Sequence, residues 1–348
     1  MNRAYGSLDS KAYPTATAPI EHGGRLNAAR RRFPHAPEPW IDLSTGISPH
    51  AYPLPTIAPE AWTRLPDTDA QCTLESSAAR AYCAPAELAV VAGPGTQAFV
   101  QALPRLFPAR RVATLGFTYA EHAAAWRASG AQVSQAVTLD ELAAMDVAIV
   151  VNPNNPDGRV TPPAQLIELA RRMASRGGIL IIDEAFVDFN PEASVAPRAG
   201  DNVIVLRSFG KAYGLPGVRL GFALCDDAIA ARLRAELGPW SVSGPALAVG
   251  AAALADSTWL EQSRLLLRDA SVRLDRLLIA AGFGLVGGTS LFRLATIHDT
   301  GEWFEHLGRS GILTRSFSEH RNWLRFGIPA SSLHWERLCQ ALGVQQDV

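Results

Sequence analysis

The chain has 348 residues, 48% of them hydrophobic and 19% charged, with a net charge of −1. That is enough chain to bury a large core, in one big domain or two of ordinary size. The near-neutral balance excludes a basic nucleic-acid footprint and gives no reason to expect attraction to anionic membranes.

Residues 1–19 are polar and lack the apolar run of a secretory leader. Four cysteines, Cys72, Cys83, Cys225 and Cys339, stand apart with no C-x-x-C pair. They predict reduced thiols in a cytoplasmic protein, without a structural zinc or other metal site. From about residue 88, short apolar runs alternate with helical patterns. Strands are expected at Leu88 to Ala92, Val112 to Leu115, Val147 to Val151, Ile179 to Ile182, Val203 to Leu206 and Leu220 to Leu224. Helices are expected from near Thr96 and from Pro163 to Arg176. Apolar runs without alternation, separated by helices, predict an α/β fold with a largely parallel sheet covered on both faces. The longest apolar stretch, about Pro245 to Ala255, is too short to span a bilayer. Residues 257 to 281 carry one long amphipathic helical pattern, Gly282 to Arg293 read as turn and strand, and Ser332 to Leu342 as helix. The expected layout is a large α/β domain over residues 46–230 and a smaller α+β domain from residues 1–45 and 231–348.

Several chemically suggestive residues follow predicted strands, where open parallel sheets place their ligand sites. Lys211 lies in Arg207-Ser208-Phe209-Gly210-Lys211-Ala212-Tyr213-Gly214. A lone lysine reads as a solvated surface residue, but these neighbours suit a different role. Ser208 and Arg219 are fitting partners for a phosphate dianion, and Gly214, Gly217 and Gly221 let the backbone approach it. A lysine shielded from water beside other cations keeps a neutral fraction able to form an imine. Asp183 ends an apolar strand, either as a turn or cap residue or as a partner keeping a pyridine nitrogen protonated. Asn155, in Asn152-Pro153-Asn154-Asn155-Pro156-Asp157-Gly158, is either a turn residue or a donor to a ring oxygen. Positions 155, 183 and 211 are each 28 apart, about one strand–helix unit, which brings them to one sheet edge. Gly95, Thr96 and Gln97 open a helix and can offer amides to an anion. Phe117 suits either core packing or stacking on a planar ring.

Together these residues resemble the class I/II aminotransferase branch of the fold-type I pyridoxal-phosphate enzymes, over roughly residues 20 to 340. The resemblance implies that fold and pyridoxal phosphate as cofactor. It implies that Lys211 forms the imine and that Ser208 and Arg219 hold the cofactor phosphate with Gly95, Thr96 and Gln97. By the same likeness Asp183 pairs with the pyridine nitrogen, Asn155 bonds the ring oxygen and Phe117 stacks. His22-Gly23-Gly24, the run Ile41 to Pro49, Asp183 to Phe189 and Pro239-Trp240-Ser241-Val242 look like the threonine-phosphate decarboxylases of cobalamin biosynthesis. That narrower likeness implies substrate contacts from His22, Gly23, Gly46 and Asn155. It gives the substrate carboxylate to Arg325 and its phosphate to Arg315. Phe186 stands where most aminotransferases of this branch carry a tyrosine, and Leu65 where many carry a tyrosine that reaches the partner subunit's cofactor.

The expected reaction is decarboxylation of L-threonine O-3-phosphate to (R)-1-aminopropan-2-yl phosphate, with Lys211 returning a proton to Cα. The alternatives are an aminotransferase, such as one acting on histidinol phosphate, and a non-catalytic cofactor-binding regulator. A homodimer acting on a small phosphorylated amino acid is expected, without nucleic-acid or membrane partners.

Overall fold

The computed structural model describes residues 20–345. Residues 1–19, the start of the expected small domain, lie outside them. The strands among the described residues, in chain order, begin with β1 (Ile41–Asp42), β2 (Ala89–Gly93), β3 (Arg111–Leu115), β4 (Gln132–Ala136) and β5 (Val147–Val151). They continue with β6 (Ile179–Asp183), β7 (Val203–Ser208), β8 (Gly221–Cys225), β9 (Gly284–Thr289) and β10 (Phe292–Thr296). The last are β11 (Ile312–Leu313), β12 (Arg315–Ser316) and β13 (Trp323–Gly327).

Seven strands form the main sheet in the order β2-β8-β7-β6-β5-β3-β4. All run the same way except β8, which is antiparallel to both of its neighbours. The strand side chains divide between two cores. Leu180, Ile182, Val203, Val205 and Leu224 face one layer of helices, and Ile181, Ile204, Leu206 and Ala223 face the other. Each such isoleucine or leucine contributes about 1.5–3 kcal/mol by leaving water. The helix Pro163–Ala174 begins with proline at its first position and buries Leu166, Leu169, Ala170 and Met173, spaced to form one stripe.

The expected strands are present with ends shifted by a residue or two, and the fold class is the α/β one read from the sequence. Within the main sheet the exception is β4, absent from that reading, as are β1, β11, β12 and β13 outside it. Strand β4 is the sheet's edge, its sequence Gln132-Val133-Ser134-Gln135-Ala136 is mostly solvent-facing, and it carries no apolar run to detect.

A second sheet, β12-β13-β10-β9, is antiparallel and packs with the helices Ser257–Ala280 and Ser332–Leu342 around Leu274, Leu278, Phe292, Leu324, Phe326 and Leu338. Near the start of the chain, β1 pairs in parallel with β11, matching Ile41 to Ile312, so both chain ends build this layer. Beyond residue 230, where the sequence division fell, Val242, Ala246, Leu247, Val249, Ala253 and Leu254 still pack into the core of the main sheet. No helix among the described residues is long and apolar enough to cross a membrane.

Candidate active site

Because β8 alone is reversed, β2 to β7 all end at one edge of the sheet, where Asn155, after β5, meets Arg325 of β13. Ser208 closes β7, and Lys211 sits in the helical turn Phe209–Ala212 that follows. Burial holds the Lys211 amine down to about 8, against the usual 10.5; Arg325 and Arg219 push the same way and Asp183 opposes them. About a tenth of the amine is then neutral at pH 7. The Lys211 Nζ lies 5.1 Å from the centre of the Phe186 ring.

Asp183, at the end of β6, is 4% exposed. Its Oδ1 accepts from the Ala185 amide at 3.0 Å, and its Oδ2 lies 2.8 Å from His122 Nε2. An ionised carboxylate only accepts, so His122 presents Nε2–H to it. His122 was not singled out in the sequence. The available signal was a titratable side chain on the buried stripe His122, Ala125, Trp126 of the helix Ala120–Ala128.

The anion cradle lies between β2 and β8. Gly95, with φ +83°, precedes the helix Thr96–Leu106, and a Cβ there would sit 2.8 Å from the Arg219 guanidinium. A Cβ on Gly221 would sit 2.5 Å from the Thr96 nitrogen, and Gly221 is paired with Ser208. Only glycines let the guanidinium, the helix amides and the end of β7 come this close. Amides at a helix start, an arginine fork and a serine hydroxyl are a donor set for phosphate. Beside them lie an amine with a neutral fraction and a buried carboxylate, so the residues fit the expected cofactor.

Gln97 spends its side chain within the protein: Nε2 donates to Glu121 Oε2 at 3.0 Å and Oε1 accepts from the Tyr119 hydroxyl at 3.3 Å. Asn155 Oδ1 accepts from Arg325 at 2.5 Å, which leaves its Nδ2 without a partner among the described residues. The peptide bonds Asn152–Pro153 and Asn155–Pro156 are cis. Asn154 ties the loops after β3 and β5 together, accepting from the Thr118 hydroxyl at 2.6 Å and donating to the Phe117 carbonyl at 3.0 Å.

Phe117 lines the cleft, but its ring packs edge-on against His320 at 4.5 Å, with Trp323 at 5.9 Å and Phe317 at 6.1 Å. The aromatic beside the Asp183–His122 pair is Tyr119. Burial, then the charges of Glu121 and Asp183, push its phenol well above the ordinary range, while Arg219 opposes them. The stacking role expected for Phe117 therefore has a better-placed candidate two residues on. The left-handed turn at Gly116 separates the strand from both, so counting from the strand end did not distinguish them.

On the opposite wall, Arg325 donates to the Ser44 carbonyl at 2.8 Å, and its buried Nε has no partner among the described residues. Burial, reinforced by Arg315, lowers its pKa to about 9. Arg315 donates to the Glu21 carbonyl at 2.6 Å. Gly23 packs on Ser44, where a Cβ would lie 2.3 Å from the carbonyl oxygen. Gly46 is held between two rings: a Cβ would lie 2.8 Å from Phe292 and 2.9 Å from Phe186. It offers only backbone to a ligand, and the structure gives a packing reason for its being glycine. His22, Gly46, Asn155, Lys211, Arg315 and Arg325 together line a cleft of about 390 Å³.

A family described as aminotransferase class I and II matches residues 48–342. A threonine-phosphate decarboxylase from Pseudomonas aeruginosa is 44% identical, over 93% of this chain and 97% of its own length. One from Sinorhizobium is 43% identical, over 94% of this chain and 98% of its own. A crystal structure of histidinol-phosphate aminotransferase from Sinorhizobium meliloti, in complex with pyridoxal-5'-phosphate, superimposes with a TM-score of 0.76 at 20% identity, covering 95% and 97% of the two chains.

Proposed function

The chain belongs to the class I and II aminotransferase family, its cofactor is pyridoxal phosphate, and we propose that it decarboxylates L-threonine O-3-phosphate. The products are (R)-1-aminopropan-2-yl phosphate and CO₂, a step of cobalamin biosynthesis. The observation that carries this reading is the 44% identity to a threonine-phosphate decarboxylase across 97% of that protein. The two arginines on β12 and β13, beside Lys211, suit the two anionic groups of such a substrate.

Bound in the cleft, pyridoxal phosphate supplies an electron sink for whichever Cα bond lies perpendicular to its ring. Ser208, Arg219 and the amides of Gly95, Thr96 and Gln97 hold its phosphate. Asp183, fixed by His122, keeps a proton on the pyridine nitrogen. Asn155 donates from Nδ2 to the ring oxygen, and Phe186, which lacks a hydroxyl, leaves that oxygen without a second donor. We assign the cover of the ring face to Tyr119.

Arg325 grips the α-carboxylate through its fork, and Arg315 with His22 takes the phosphate, with backbone contacts from Gly23 and Gly46. Holding a substrate at both ends fixes rotation at Cα, so positioning selects the carboxylate as the group set perpendicular. The Cα–carboxyl bond breaks, CO₂ leaves, and Lys211 returns a proton to Cα in its place.

The protein is also proposed to be a cytoplasmic homodimer. Leu54, Trp62, Leu65 and Trp240 are large apolar residues left exposed, and Leu65 cannot make the hydrogen bond of the tyrosine found there in many relatives. Sedimentation of the wild type and of Trp62→Asp tests this; a monomer in both would refute it.

The function is tested by supplying L-threonine O-3-phosphate alone and measuring CO₂, against histidinol phosphate with 2-oxoglutarate. CO₂ without any oxo acid supports decarboxylation. A strict requirement for the oxo acid, with no CO₂, sinks it.

A further inference from the structure

Behind the substrate-facing side chains stands a carboxylate that none of the roles above uses. Glu121, near the start of the helix Ala120–Ala128, accepts from two segments distant in sequence. His22 Nε2 lies 2.8 Å from Oε1, and Gln97 Nε2 donates to Oε2 at 3.0 Å. The Glu121 side chain is 16% exposed and that of His22 41%, so the acid lies inward of the imidazole. Gln97 belongs to the first turn of the helix that opens on the anion cradle, and also accepts from Tyr119. One carboxylate thus braces the segment carrying His22 against the helix bearing His122 and the helix bearing the cradle.

The chemistry of the contact settles which nitrogen of His22 is committed. An ionised carboxylate has no proton to give, so Nε2 must carry one. The other nitrogen, Nδ1, has no partner among the described residues and remains available to a ligand, and His22 lines the cleft. Without Glu121 the imidazole is free to exchange tautomers and to rotate.

We propose that Glu121 is a positioning residue for phosphorylated substrates: it accepts from His22 Nε2–H and turns Nδ1 toward the substrate phosphate, to which Nδ1 donates when the ring, held between the two anions, carries both protons. This rests on the reading that His22 meets that phosphate. Because Arg315 still holds the phosphate at that end, rotation at Cα stays fixed, and the His22 contact acts on ground state and transition state alike. Its loss then raises KM and leaves kcat almost unchanged.

The holoenzyme variants Glu121→Ala and Glu121→Gln, each also in a His22→Gln background, test the proposal. In Glu121→Ala, KM for L-threonine O-3-phosphate and the inhibition constant of 1-aminopropan-2-yl phosphate rise about 10–100-fold, as for loss of a hydrogen bond to a charged group. The inhibition constant of 1-aminopropan-2-ol, which has no phosphate, does not follow. Glu121→Gln keeps an acceptor and recovers much of the loss. In the His22→Gln background neither substitution has a further effect. Independently of any substrate, ¹⁵N NMR of labelled histidine finds His22 protonated at Nε2 in the wild type and mixed in Glu121→Ala.

Equal loss toward the phosphate and the alcohol, or an unchanged His22 tautomer, would overturn the proposal. A wild type that releases no CO₂ from threonine phosphate would instead refute the assigned reaction, and the tautomer measurement would still decide the role of Glu121.

Discussion

Arg315 on β12 and Arg325 on β13 stand directly opposite one another across an antiparallel pair. Like charges in that register repel, and Arg315 is, after burial, the cause of the lowered pKa of Arg325. Two opposed cations lining a cleft are a poor arrangement for an empty protein and a good one for a ligand with two anionic groups. Arg315→Met should therefore change the stability of the ligand-free protein by no more than about 1 kcal/mol in urea unfolding. KM for the phosphorylated substrate should rise about 10–100-fold. Thermal stabilisation by 1-aminopropan-2-yl phosphate, present in the wild type, should shrink with it. A variant stabilised as strongly as the wild type would show that the phosphate lies elsewhere.

Lys211 makes a second prediction, in pH. Its amine sits near 8 because burial and the charges of Arg325 and Arg219 disfavour the protonated form. The rate at which cofactor-free protein takes up pyridoxal phosphate on Lys211, followed by visible absorbance, should rise with pH and level off above about 8. An ordinary lysine would keep accelerating toward 10.5. Removing a neighbouring cation favours the protonated amine, so Arg325→Met should move the midpoint upward. A midpoint that stays put or falls would contradict this account of the shift.

The buried Asp183–His122 contact gives a third. His122→Leu leaves the Asp183 carboxylate with the Ala185 amide as its hydrogen-bond partner among the described residues. Losing the imidazole from this buried site should cost about 1–3 kcal/mol, measured by urea unfolding of the cofactor-free protein. CO₂ release should fall although the cofactor remains attached through Lys211. Full activity in this variant would remove His122 from the account.

Much of this was legible in the sequence because the chemistry is local there. Ser208, Lys211 and Arg219 lie within a dozen positions, and the apolar runs of β5, β6 and β7 are buried on both faces, as such runs should be. What escaped depends on contacts far apart in the chain. His122 looks like any residue of a short helix until β6 brings Asp183 beside it. Phe117 and Tyr119 are equivalent on paper, and the cluster of Phe317, His320 and Trp323 separates them. Gly46 carries no sign that Phe186 and Phe292 close on it. Edge strand β4 offers water-facing side chains where a pattern reader needs apolar ones.

The choice of bond is the central claim, and an isotope at Cα tests it most directly. L-threonine O-3-phosphate bearing deuterium at Cα should be turned over without any 2-oxo acid. The account predicts one CO₂ per turnover, with the deuterium retained in 1-aminopropan-2-yl phosphate beside one proton from solvent. Loss of the deuterium to water without release of CO₂ would mean that the Cα–H bond is the one broken, and the assignment as a decarboxylase would be wrong.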